Sequence, residues 1–267
     1  MSRLDTTFDK LKVERRKALM PYLPLGYPTL ETSCQLIRAA AEAGADVIEL
    51  GVPFSDPLAD GPVIQHATHV ALQNGITLAK CFEFAREARE WGVTVPLVLM
   101  GYYNPLLDFG LEVCARAAQA SGVDGFIVPD MPPEEANALD AACRAYDLDL
   151  IFLAAPTSTQ KRLRIIADAT RGFLYLVSVT GVTGARDQVA AGLGEFIGRV
   201  RAITSKPICV GFGIANVESA RDVADVADGV IVGSALVSRI GNDNAVKAAR
   251  TFISELRSGI DANSACA

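Results

Sequence analysis

The feature that most constrains this chain is the alternation of short apolar runs with stretches of helical period. The runs lie at 19–25 (LMPYLPL), 46–51 (DVIELG), 96–101 (PLVLMG), 125–129 (GFIVP), 150–155 (LIFLAA), 173–178 (FLYLVS), 207–212 (PICVGF) and 229–233 (GVIVG). Such runs read as strands of a parallel sheet buried on both faces. Between them lie amphipathic segments such as LETSCQLIRAAAEAG, TLAKCFEFAREAREWG and STQKRLRIIADAT. Several end in Gly or follow Ser, Thr, Asp or Asn, as capped helices do. Eight strands, each followed by a helix, predict an α/β fold: a single (β/α)8 barrel domain over 1–267, with an N-terminal helical extension and a frayed tail at 258–267. A doubly wound open sheet is the alternative that the same alternation allows.

Length and charge agree with that reading. A chain of 267 residues with 50% hydrophobic content can enclose one large core. A net charge of -6 and a pI near 5.1 argue against a nucleic-acid surface, which needs clustered Lys and Arg. No apolar run reaches the roughly 18 residues of a membrane span, and the polar opening lacks a signal core, so a cytoplasmic protein is expected. The six cysteines form no CxxC pair and read as reduced packing residues.

The stretch IELGVPFSDPLADGP at 48–62 sets a charge inside this apolar pattern. Glu49 lies near the exit of a strand, and Pro53 and Pro57 keep the following loop from forming a regular helix. In a barrel, active sites lie where strands end. A carboxylate facing the helix layer would be hard to satisfy, whereas one facing inward would be desolvated, with a raised pKa suited to giving and taking a proton. A buried ion pair with an arginine is the other reading. Asp56 and Asp60 on the next loop stand near the mouth, where a second carboxylate could accept a substrate hydrogen bond, unless either only closes an Asx turn.

Glycine-rich loops follow the last three apolar runs: VTGVTGARDQ, GFGIANVES and GSALVS. Backbone N–H groups there, with the Ser234 hydroxyl, suit a phosphate. Other chemistries lack their residues. Lys206 precedes a strand and Lys161 lies in a helical stretch, so no lysine is placed for a Schiff base. His66 and His69 are the only histidines and would need further ligands to hold a metal. Neither GxGxxG after the first strand nor a P-loop occurs. Metal-free, cofactor-free acid/base work on a phosphorylated small molecule remains. An isomerase of a phosphoribosyl compound also fits that description, as does an activating subunit with weak chemistry of its own.

The stretches IELGVPFSDPLADGPVIQ, MGYYNPLL, GFIVPDMPPEE, LAAPTST, GVTGAR, VGFGI and VGSA, in order and spacing, resemble the tryptophan synthase alpha family over most of the chain. The resemblance implies a (β/α)8 barrel that cleaves indole-3-glycerol phosphate to indole and glyceraldehyde 3-phosphate. It implies Glu49 as general acid/base and Asp60 as its partner, holding the indole N–H. Tyr22, Met100, Ile127 and Leu153 would wall the indole and Phe212 and Ile231 would also bind substrate, with Tyr102 and Tyr175 near the reacting centre and Thr183 closing over Asp60. For the apolar members plain barrel packing is the other reading. Gly184, Gly213, Gly233 and Ser234 would meet the phosphate. No cofactor is implied in this chain; pyridoxal phosphate belongs to a beta subunit, met in an alpha2beta2 heterotetramer around Pro53, Asp56, Asn104, Pro105 and Pro132. Where many members carry Ser-Arg before the glycine of the sixth loop, this chain has Ser178-Val179-Thr180, a departure that bears on loop closure.

Overall fold

The computed structural model describes residues 1–177, 186–211, 213–241 and 244–264. Its strands are β1 (Ala18–Pro24), β2 (Ile48–Gly51), β3 (Leu97–Met100), β4 (Gly125–Ile127), β5 (Asp149–Ile151), β6 (Leu153–Ala154), β7 (Leu174–Val177), β8 (Ile208–Gly211) and β9 (Gly229–Val232). All pair in parallel, in the order β5-β4-β3-β2-β1-β9-β8-β7-β6.

The ends of that order are β5 and β6, and Phe152 alone separates them. β5 pairs with β4, and β6 pairs with β7. The two are halves of one barrel position, so the sheet curls into a nearly closed barrel with eight positions. The expected continuous strand at 150–155 is thus divided: the Phe152 N–H goes to the buried Thr170 hydroxyl at 3.2 Å, while its carbonyl accepts from the Tyr175 N–H of β7 at 3.3 Å.

Strand side chains alternate between two apolar layers, as the period of two requires. One layer packs between the sheet and the surrounding helices. The other fills the barrel and includes Met20, Val47, Val98, Ile127, Ile151, Tyr175, Cys209 and Ile231.

Helix α1 (Arg3–Val13) belongs to that inner layer. Leu4, Phe8 and Leu11 follow the i, i+4, i+7 pattern and form a single buried stripe. The helix starts with a capping box between Ser2 and Asp5, and Phe8 lies on Phe173 with ring centroids 5.7 Å apart. It stoppers the barrel at the strands' N-terminal ends.

Helix α12 (Ala245–Ser264) continues past the expected fraying point at 258. Ile260 is fully buried, and Arg257 joins Asp46 at 2.8 Å and Asp261 at 2.9 Å. Tertiary contact holds a segment whose composition looks like a tail.

Truncating Leu4 to alanine removes a fully buried part of the stopper. The Leu4→Ala chain is expected to lose about 2–5 kcal/mol of stability, read as a lower urea midpoint by circular dichroism.

Candidate active site

Glu49 is the centre of the site. In register it lies between Tyr22 of β1 and Val98 of β3, two residues beyond the inward Val47, so its side chain enters the barrel. It is completely buried, and neither carboxyl oxygen has a hydrogen-bond partner among the described residues. The arginine ion pair is therefore not what holds it there. Desolvation alone raises its pKa from 4.5 to about 8, so the group is mostly protonated at neutral pH.

Two tyrosines flank it. Tyr22 leans over Gly51, where a Cβ would lie 2.2 Å from the phenol oxygen, and Tyr175 leans over Gly211 in the same way, also at 2.2 Å. Each ring occupies the space that a side chain on the next strand would fill. Burial, Asp60 and Glu49 push the Tyr22 hydroxyl well above the usual phenol value; burial, Glu49 and Tyr22 do the same to Tyr175. Both phenols thus stay protonated and neutral beside the carboxyl groups.

The loop after β2 brings the second carboxylate. The Tyr102 hydroxyl donates to Asp60 Oδ2 at 3.1 Å while accepting from the Ala59 N–H at 2.8 Å, which ties two neighbouring loop residues to one side chain. Phe54 packs its ring on Tyr102 at 5.5 Å. Burial raises the Asp60 pKa, and the Tyr102 hydrogen bond opposes that rise. Asp56 stays exposed and accepts from the Ser55 hydroxyl at 2.5 Å.

Ile127 and Ile231 lie in the inner layer, with Met100 and Leu153 packed against it. Gly213 adopts φ +76°, a conformation natural to glycine, and Gly233 precedes the short helix α11 (Ser234–Val237). Ser234 is exposed at that helix's start. Thr183, Gly184 and Phe212 lie outside the described residues, as does Val179. His66 and His69 stand on the exposed side of helix α3 (Pro62–Gln73), where His69 meets Gln73 at 3.1 Å. Among the described residues no three His, Cys, Asp or Glu side chains gather as a metal site requires.

The tryptophan synthase alpha chain family profile matches residues 8–261. The chain is 46% identical over 261 residues to the alpha chain of Dehalococcoides mccartyi, covering 98% of this chain and 100% of the relative. It is 52% identical over 240 residues to that of Roseiflexus sp., covering 90% and 92%. A solved Mycobacterium tuberculosis tryptophan synthase chain superposes with a TM-score of 0.89 at 42% identity, over 97% of this chain and 98% of that one.

The chain belongs to the tryptophan synthase alpha chain family. It is a lyase of tryptophan biosynthesis (EC 4.2.1.20) with the barrel fold of that family.

Some residues that shape the site in this family member escaped the sequence reading. Gly51 reads there only as the end of an apolar run, yet as the last residue of β2 it also seats the Tyr22 ring. Gly211 plays the same part for Tyr175. A tyrosine on one strand and a strand-ending glycine on its neighbour would have been the signal, but reading it needs the register. Ala59 contributes only its N–H, and Phe54 only its ring face.

The state of Glu49 has a thermodynamic consequence. Its folded pKa lies above its unfolded value, so the native chain holds a proton that the unfolded chain has lost, and stability falls as pH rises from 4.5 to about 8. Glu49→Gln removes that dependence. The variant's stability relative to the parent chain should grow across this window by up to about 5 kcal/mol, measured as urea unfolding free energies at pH 5 and pH 8.5. A difference that stays flat with pH would place the Glu49 pKa near its ordinary value.

Proposed function

We propose that Glu49 and Asp60 carry out a retro-aldol cleavage of indole-3-glycerol phosphate to indole and glyceraldehyde 3-phosphate. The observation that carries this reading is Glu49, buried, mostly protonated and without a hydrogen-bond partner among the described residues. Breaking a carbon–carbon bond at indole C3 first needs a proton on that carbon, which makes the ring a leaving group. A neutral carboxyl group in an apolar barrel is ready to supply it. Positive charge then develops at the ring N–H. Asp60 accepts the hydrogen bond from that N–H and stabilises the charge.

The bond between C3 and the glycerol chain breaks with its electron pair returning to the ring, while the adjacent hydroxyl loses its proton as the aldehyde forms. Glu49, now a carboxylate, takes that proton and is restored for the next turnover. Tyr102 keeps Asp60 available for its part, because its hydrogen bond favours the charged form. The apolar surroundings of Ile127, Ile231, Met100 and Leu153 suit the indole ring, and the Gly213 and Gly233–Ser234 turns suit the phosphate. Thr183, Gly184 and Phe212 complete the proposed contacts by the family resemblance.

The reading needs no cofactor in this chain; pyridoxal phosphate belongs to the beta subunit that consumes indole. We place that partner at the barrel mouth, around Pro53, Asp56, Asn104, Pro105 and Pro132, in an alpha2beta2 assembly. Leu58 at 94% exposure and Leu107 at 52% set apolar side chains in solvent on the neighbouring loop and helix, which supports a docking role. No helix among the described residues is long and apolar enough to cross a membrane. Five buried free cysteines fit the reducing cytoplasm we propose as its compartment.

Indole release by the purified chain tests the assignment. Glu49→Gln should lower kcat by roughly 10²- to 10⁴-fold, and near-normal turnover in that variant would falsify the acid/base role. In the parent chain kcat/KM should fall as pH rises through about 8, where free Glu49 gives up its proton. Tyr102→Phe removes the bond that limits the rise of the Asp60 pKa, so the acidic limb of the kcat/KM profile should move to higher pH. Gel filtration with added beta subunit should show a larger species with faster indole release.

A further inference from the structure

A cavity bounded by described residues lies at the end of the barrel away from Glu49. It encloses about 510 Å³ beneath helix α1 and against the segments that lead into β1, β8 and β9. That size falls within the roughly 300–1,000 Å³ of small-molecule sites. Phe8, Leu11, Pro207 and Ile260 give it an apolar floor.

Five cations stand around that floor: Lys12, Arg15, Arg16, Lys17 and Arg201, against the three carboxylates Asp9, Asp225 and Asp228. The excess runs against a chain whose net charge is -6. Four of the five come from the segment DKLKVERRK at 9–17, which holds five of the chain's 25 lysines and arginines within nine residues.

The cations divide into two kinds. Arg201 is paired with Asp228, Arg16 lies within 3.9 Å of Asp46 and 3.6 Å of Asp261, and Lys17 donates to the Ala227 carbonyl at 2.8 Å. These three are fixed in the wall. Lys12 and Arg15 are exposed, and neither side chain has a hydrogen-bond or ion-pair partner among the described residues. Arg15 also adopts φ +54°, where the residue after a helix is most often glycine. An arginine is held in a strained conformation at the cavity rim.

We propose that this cavity binds a small anion with an aryl body, its ring on the apolar floor and its phosphate or carboxylate head between Lys12 and Arg15. A planar guanidinium pairs with either head in two parallel hydrogen bonds, and the ammonium adds a second charge. The site is separate from the lyase site, since the stopper residues of α1 and the inner apolar layer lie between them.

Calorimetric titration of the full chain with phenyl phosphate, benzoate and inorganic phosphate tests this. Arg15→Gly suits the backbone at that position, so it removes the guanidinium without a folding penalty from φ. At least one aryl anion should bind, more tightly than inorganic phosphate, and should weaken tenfold or more in Arg15→Gly combined with Lys12→Ala, while indole release without the anion stays unchanged. Which aryl anion binds better identifies the head group. Absence of binding at millimolar concentration, unchanged affinity in the double variant, or equal affinity for inorganic phosphate would each overturn the proposal.

Discussion

The desolvation of one carboxyl group organises this structure. Among the described residues Glu49 has no hydrogen bond to offset its burial, so the fold keeps it by leaving it protonated. That state lasts only where water is excluded on every side. Helix α1 closes the lower end of the barrel, Ile127, Ile151 and Ile231 fill its wall, and the Tyr22 and Tyr175 rings cover the adjacent strands. Under the proposed role of Glu49, stability and reactivity oppose each other: the burial that would suit it to proton donation at neutral pH also lowers the native state's stability as pH rises.

Asp60 is treated differently although it lies close enough to raise the same two phenols. It sits on a loop, partly exposed, with a hydroxyl donor to its oxygen. Burial raises the pKa of both carboxyl groups, but only at Asp60 does a hydroxyl donor, Tyr102, oppose the rise, so the two are held to different degrees. The fold achieves this by giving them elements of different character. A strand fixes Glu49 inside the layer, and a proline-punctuated loop, tied down at Ala59 and Asp60, brings its partner over the mouth.

What the sequence made legible follows the range of the interactions involved. The eight barrel positions could be read because strand and helix periods are local, and the inward direction of Glu49 because an apolar strand leaves a carboxylate one tolerable face. The break at Phe152 could not, since its N–H donates to the Thr170 hydroxyl eighteen residues away. The seating of Tyr22 over Gly51 likewise needs the pairing of β1 with β2, and glycine at a strand end suggests a turn before it suggests room for a ring. Helix α12 was cut short for a related reason: Gly259 looks like a stop, while the burial of Ile260 and the reach of Arg257 to Asp46 are tertiary.

The two ends of the barrel divide the work by the direction of the strands. At the C-terminal ends, loops are free to vary, and Glu49, Asp60 and the glycine turns gather there. At the N-terminal ends the chain must stopper an apolar interior, and α1 does so with Leu4, Phe8 and Leu11. A stopper needs only its inward stripe to be apolar, which leaves the far side of α1 and the turn into β1 free to carry charge. That freedom explains how five cations can stand within nine residues of an acidic chain without disturbing the lyase site. The cations lie at the far end of the barrel, most of them satisfied by carboxylates or carbonyls in the wall, and burial is the only influence on the Glu49 pKa, so charge accumulates below while a neutral acid is preserved above.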